Sequence, residues 1–232
     1  MVQNNNLVFT SNVTDVHVSE GASLSYVRFI EGNSKNLHIN NVHVQLDKDS
    51  KFISTSLINS KGQARAETRV NLLGENSSSK INILMMGTNN SLQESLTKAK
   101  HSTKNTKSDQ IIRIILDENS RGSFQGKIRV DVGADGTLAN MSGKSLLLSN
   151  NARVNSKPEL EILADDVRCS HGVTVGSLNA EQLFYLRSRG IPENEARKLL
   201  INSFGNVIIN NISTNLAKRA KNFMLEDSNK ND

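Results

Sequence analysis

The feature that most constrains this chain is a change of hydropathy period part-way along it. Up to about residue 155 almost nothing repeats at 3.6 residues. Apolar side chains alternate instead, as in Val13-Val16-Val18, Leu24-Tyr26, Leu37-Ile39, Val42-Val44-Leu46, Val70-Leu72, Ile81-Ile83, Ile112-Ile114 and Ile128-Val130. Alternation places every second residue on one face of a strand. The runs recur about every 10–14 residues with Asn, Ser, Gly and Asp between them, so they read as many short strands. Only Pro158 and Pro192 could interrupt a ladder. A sandwich, a barrel and a β-helix all satisfy this pattern. Asp135-Gly136 is the one dipeptide that fits a two-residue hairpin turn. Asn-rich corners suit a stacked solenoid at least as well, but no strict sequence repeat decides the matter.

From Asn179 the period becomes helical. Asn179 and Gln182 resemble a capping box, Gly190 stands where a helix stops, and Pro192 reads as the first residue of the next helix, with Glu193 and Glu195 in its first turn. Ala196, Leu199, Leu200 and Phe204 form one apolar face, which Gly205 is expected to break. A third helix is expected to carry Ile208, Ile212, Leu216, Ala220 and Met224. The expected organisation is a β-rich core over 1–177, a small helical domain over 178–225 and a disordered polar tail over 226–232.

The 232 residues can bury one full core, and a mean hydropathy of −0.41 indicates a soluble protein. No apolar run reaches the roughly 18 residues of a membrane helix. The first residues, MVQNNNLVFTSN, lack the features of a secretory signal. A single cysteine, Cys169, forms no internal disulfide, so a reducing, cytoplasmic setting is expected. The net charge is +5, with basic clusters at Lys98 to Lys107 and Lys218 to Lys221. Neither is interleaved with aromatic residues, so they read as solvated faces rather than a nucleic-acid platform.

Few residues carry recognisable chemistry. Cys169 and His171 stand two apart in a segment of strand character, so they share a face. A thiolate beside an imidazole suits iron, zinc or an iron–sulfur cluster, although two ligands do not complete a site. Val173 and Val175 suggest that His171 is partly buried. Asp165 and Asp166 would point to opposite faces and read as a turn or a cap. Gly143-Lys144-Ser145 imitates the end of a phosphate-binding loop, but Leu138 stands where that loop needs glycine, and Leu146-Leu147-Leu148 continues as strand. His17, His38, His43 and His101 have no ligand spacing. Leu183, Phe184 and Leu186 read first as helix packing, while Phe184, Tyr185, Arg187 and Arg189 together could meet a partner.

Two contiguous blocks, LEILADDVRCSHGVTVG (Leu160 to Gly176) and EQLFYLRSRGI (Glu181 to Ile191), resemble the SufD family of iron–sulfur cluster assembly scaffolds. The resemblance is strong from about Ser145 to Phe204 and continues upstream in RGSFQGKIRV (Arg121 to Val130). It implies a right-handed parallel β-helix followed by C-terminal helices. It further implies a non-catalytic subunit that pairs with a SufB-like paralogue and docks SufC-like ATPases through those helices. The family histidine proposed to help form a transient iron–sulfur cluster at the subunit interface falls on His171, with Cys169 as the weaker second ligand. The paralogue SufB carries a cysteine where this chain has Ile162, which puts the chain on the SufD side. Family members typically have a large N-terminal helical domain, so this chain reads as a short form or a fragment, and a homodimer is conceivable for the chain alone. A carbohydrate-active β-helix enzyme would need clustered carboxylates on one solenoid face, and none is evident. A purely structural solenoid would be a capped monomer without partners.

Overall fold

The computed structural model describes residues 7–210, 212 and 214–228. The alternating segments form twelve strands in two parallel sheets. The odd-numbered strands, β1 (Val8–Val18), β3 (Asn36–Leu46), β5 (Gln63–Leu72), β7 (Leu92–His101), β9 (Arg121–Val130) and β11 (Arg153–Ile162), stack in that order as sheet A. The even-numbered ones, β2 (Ser23–Gly32), β4 (Lys51–Ser60), β6 (Ser78–Gly87), β8 (Lys107–Leu116), β10 (Thr137–Leu147) and β12 (Val167–Gly176), stack as sheet B. The chain therefore alternates between sheets and climbs one rung per coil, from Leu37 paired with Gln63 at the shortest step to Arg121 paired with Arg153 at the longest. This is the expected parallel solenoid, about six coils long.

The two inner faces bury one core along the coil axis. Val42, Val44, Leu46, Phe52, Ile58, Val70, Leu72, Ile81, Ile83, Met85, Ile112, Ile114, Phe124, Ile128 and Val130 are all at most 1% exposed. Each such aliphatic side chain contributes about 1.5–3 kcal/mol on burial. Polar groups enter the same interior. Arg28 on β2 crosses it to the Thr68 hydroxyl (2.9 Å) and the carbonyls of Asn40 and Glu67 (3.2 Å each). Burial without a carboxylate lowers its pKa to about 10.

The repeat missing from the sequence lies in the corners. Gly21, Asp49, Asn76, Asn105 and Gly136 all have positive φ, between 56° and 72°. Each occupies the corner entering sheet B, and each N–H donates to the carbonyl of the residue one coil on: Lys48, Glu75, Lys104, Asp135 and Asp166 in turn. Gly, Asn and Asp tolerate this left-handed conformation. At four of these corners the next residue, Ser50, Ser77, Thr106 or Thr137, is fully buried and its hydroxyl donates to the carbonyl three residues back. Asp135-Gly136 is thus a solenoid corner between parallel strands, not a hairpin turn. Asp166 closes the last corner, as a coil cap would.

Sheet B is buried on both faces through its middle. Leu57, Leu84, Met86 and Ile115 point outward and are covered by Ile208, Ile209, Ile212, Ala220, Phe223 and Met224 from the C-terminal helices. Double burial explains the apolar runs in β6 (Ile83 to Met86) and, around Arg113, in β8 (Ile111 to Leu116), where strict alternation fails. The helices are α1 (Ala180–Ser188), α2 (Glu193–Ile209) and α3 (Thr214–Ser228). α2 packs across β8 and β6, and α3 across β4, so the chain turns back along the solenoid. Phe223 meets Phe29 edge-on at 6.1 Å, and Arg219 lies 4.2 Å over the Phe29 ring while pairing with Glu31.

Several helix details differ from the expectation. Asn179 does cap α1, its side chain accepting from the Gln182 N–H, and Gly190 takes φ 85° beyond the last turn. Pro192, however, occupies the N-cap of α2 rather than its first turn. Gly205 does not break α2. It is buried where a Cβ would come within 2.5 Å of Met224 Cε, so it serves close packing with α3. Ile208 belongs to α2, and Leu199 is 49% exposed while Ile208 and Ile209 are buried. α3 extends through Ser228, and residues 229–232 of the expected tail lie outside the described residues.

Candidate functional site

The solenoid presents two strands of different kinds at its C-terminal end. β11 and β12 are the last strands of sheets A and B, and neither has an outer pairing strand among the described residues. Pro158 sits in β11, where a missing N–H is tolerated because the strand is an edge.

Cys169 and His171 lie on β12, in register with Ala139 and Met141 of β10. Those partners are buried in the solenoid interior, at 4% and 0% exposure. One rung further out the same inward-facing row reaches solvent. Cys169 is half-buried against the core, whereas His171 is exposed. The expectation that His171 is partly buried is therefore not met. Val173 gives partial cover only, and Val175 is 53% exposed, because no further coil lies above them among the described residues. Burial raises the Cys169 pKa, with a backbone hydrogen bond at Ala139 acting against it. A raised pKa disfavours the thiolate, the form that binds a metal. Among the described residues no group of three or more His, Cys, Asp or Glu side chains is placed to hold a metal ion.

The other histidines occupy structural positions. His17 pairs with Asp47 at 2.8 Å and His43 with Asp15 at 3.2 Å on the surface of sheet A. His101 is fully buried and bonded to Thr106 and Ser108. The carboxylates facing outward from sheet A are held by cations. Lys127 binds Glu161 and Lys157 binds Glu159, which pushes both acids below the usual carboxylate range. A general acid for glycoside cleavage needs the opposite shift. Lys144 lies in β10, and its neighbour Gly143 is a ladder residue, so no phosphate-binding loop forms there.

The four residues considered for partner contact are on or just beyond α1, which has no buried residue. Phe184 is 73% and Tyr185 57% exposed. Phe184 is thus not helix packing, and Leu183 and Leu186 are only half-buried. Arg187 pairs with Glu193 at 3.2 Å, and Arg189 lies 5.4 Å over the Tyr185 ring. Phe184 and Tyr185 thus stand exposed on one helix with Arg187 and Arg189 close by.

A family model described as "SUF system FeS cluster assembly, SufBD core domain" matches residues 1–204. The chain belongs to the SufBD core family. It is 35% identical over 196 residues to "Iron-sulfur cluster assembly protein SufD" of Escherichia coli (strain K12), a match covering 84% of this chain and 46% of that protein. It is 32% identical over 211 residues to an iron-sulfur cluster assembly SufBD family protein of Synechocystis sp., covering 88% and 45%. A chloroplastic protein of Arabidopsis thaliana, ABCI7, is 31% identical over 202 residues, covering 87% and 42%. These relatives support membership on the SufD side of the superfamily. The chain spans a little under half the length of each of them. No helix among the described residues is long and apolar enough to cross a membrane.

Proposed function

We propose that this SufBD-core chain is a non-catalytic scaffold for iron–sulfur cluster assembly, and that it works by lending His171 to a nascent cluster at an interface with a SufB-like chain. The observation that carries this reading is the position of His171. It stands on β12, the last strand of sheet B, which pairs with β10 on one side and with no strand on its outer edge among the described residues, at the mouth of the interior row. An imidazole there is reachable by ligands from a second subunit. β11 and β12 also offer free strand edges on which such a subunit can dock by main-chain hydrogen bonds. The cluster is cargo, shared transiently, and the remaining ligands come from the partner. Cys169 is the lesser contributor because its thiol is half-buried against the core.

The α1 patch of Phe184 and Tyr185, with Arg187 and Arg189 close by, fits a second partner, a SufC-like ATPase. No α1 residue belongs to the cluster that covers sheet B, so the patch can be engaged without uncovering the core. A cytoplasmic location suits this work, since a single free cysteine implies a reducing compartment.

The test is a reconstituted complex with the SufB-like and SufC-like subunits. His171→Ala should assemble normally and lose most cluster formation, read by iron and sulfide content and visible absorbance. Cys169→Ser should lose less. A normal cluster yield from His171→Ala refutes the ligand role. Separately, Phe184→Ala with Tyr185→Ala should abolish co-purification of the ATPase while leaving the SufB-like subunit bound; undiminished ATPase binding places docking elsewhere.

A further inference from the structure

A groove of about 390 Å³ lies between the outer face of the last coils and the first two helices. It is within the range of small-ligand clefts, about 300–1,000 Å³. Its polar lining residues include Lys144, Thr174, Ser177, Asn179, Gln182 and Ser203, and its apolar ones Leu146, Val175, Leu200 and Phe204. No Asp or Glu lines it.

The charge arrangement here differs from that elsewhere on the solenoid. Arg113, Lys144 and Thr174 are register partners on β8, β10 and β12, one row across the outer face of sheet B. Adjacent strands are about 4.8 Å apart, so two cations are neighbours on consecutive rungs. Like charges directly opposite one another destabilise a sheet. On sheet A the corresponding cations are neutralised: Lys100 by Asp131, Lys127 and Arg129 by Glu161, Lys157 by Glu159. On this row neither cation has a carboxylate partner among the described residues. Arg113 is 8% exposed, donates only to the Ile112 carbonyl (2.9 Å) and stacks 5.7 Å from the centre of the Phe204 ring. Burial lowers its pKa, and no neighbouring anion raises it. Lys144 is exposed at the groove wall.

We infer that this groove binds a small oxyanion of the phosphate class, with Lys144 as its direct cationic contact and the Thr174 and Ser203 hydroxyls as donors. Arg113 adds positive field from beneath Phe204. An anion there relieves the repulsion along the row, and charge-assisted hydrogen bonds from a lysine and two hydroxyls suit a tetrahedral oxyanion. The apolar lining residues leave room for a small organic group attached to the phosphoryl. The site is independent of His171 and of any ATP-hydrolysing loop.

The test is titration calorimetry of the full chain with inorganic phosphate and with phenyl phosphate, chloride holding ionic strength constant. Saturable binding of at least one probe is expected, with amide shift changes at Thr174 and Ser203. Comparable affinities identify the free anion as the ligand type, and tighter phenyl phosphate binding identifies an ester that uses Leu200 and Phe204. Lys144→Gln should weaken binding about tenfold or more, as the loss of a charged hydrogen bond does. Thr174→Val should weaken it less. Lys51→Gln, distant on the same sheet, should change nothing. Absence of saturable binding, unchanged binding in Lys144→Gln, or an equal loss in Lys51→Gln would overturn the proposal.

Discussion

At the scale of single residues the interior of the solenoid is more polar than its sequence pattern implies. His101 shows the consequence. Its ring is wholly enclosed, with one nitrogen 2.7 Å from the Thr106 hydroxyl and the other 2.8 Å from that of Ser108. Thr106 continues the network to Thr137 at 3.2 Å. Burial lowers the His101 pKa from 6.5 to about 4. Between those values the unfolded chain binds a proton that the folded chain refuses. Stability from this group is therefore complete above pH 6.5 and declines as pH falls towards 4, by at most about 1.4 kcal/mol per pH unit. Urea denaturation at pH 7.5 and pH 5 should show the decline, and His101→Gln should flatten it. An equal decline in both proteins would place the acid sensitivity in other groups. His171 lies outside such a network, which is why the same residue type is structural at one position and available at the other.

The corners are the elements that fix the stacking distance, and glycines mark where coils touch most closely. A Cβ on Gly74 would lie 1.9 Å from the Lys48 backbone nitrogen, one coil away. Backbone cannot yield as a side-chain tip can, so Gly74→Ala should cost about 3 kcal/mol or more. Gly176, at the end of β12, has nothing within 4 Å of its Cβ position, and its alanine variant should be near neutral. Thermal unfolding of the two variants checks this pair; similar melting temperatures would mean the coils are not held by corner contact. The corners also show what the sequence made legible. The strands were visible because each keeps its inner face apolar. Their stacking was not, because the repeat is carried by backbone conformation and a hydroxyl rather than by residue identity. Lys48-Asp49-Ser50, Glu75-Asn76-Ser77, Lys104-Asn105-Thr106 and Asp135-Gly136-Thr137 fill one structural position with four different triplets. A search for Asp, Asn or Gly followed by Ser or Thr would have found it.

On the scale of the whole molecule, two buried layers meet in sheet B. The first lies between the sheets and the second between sheet B and the helices. The shared face of Cys169 and His171 was legible from their spacing. The exposure of His171 was not, because it depends on β12 being the final rung, a property of the stack. The groove row of Arg113, Lys144 and Thr174 was invisible for the same reason, its members coming together only through register. The second layer also bears on truncation. Removing residues 179–232 strips the cover from Leu57, Leu84, Met86 and Ile115, leaving an exposed apolar patch of the kind that drives association. Such a truncated chain should bind a hydrophobic dye and sediment as aggregates. Aggregation of the truncated chain would make exposed-residue variants, not deletions, the cleaner probe of docking; a monodisperse truncated chain would show that the helices are dispensable to the solenoid.

The return of the helices along sheet B has a consequence for synthesis. Leu57 leaves the ribosome long before α3, which packs across β4 and brings Ala220 and Phe223 to the same cluster, exists. At about 5–20 residues per second, the outer face of β4 waits roughly 8–30 s for its cover. The coils can stack one upon another as they emerge, each new rung resting on the last. Their outer apolar surface stays bare until the helices after Asn179 have been made, an interval in which nascent-chain chaperones have a hydrophobic strip to hold.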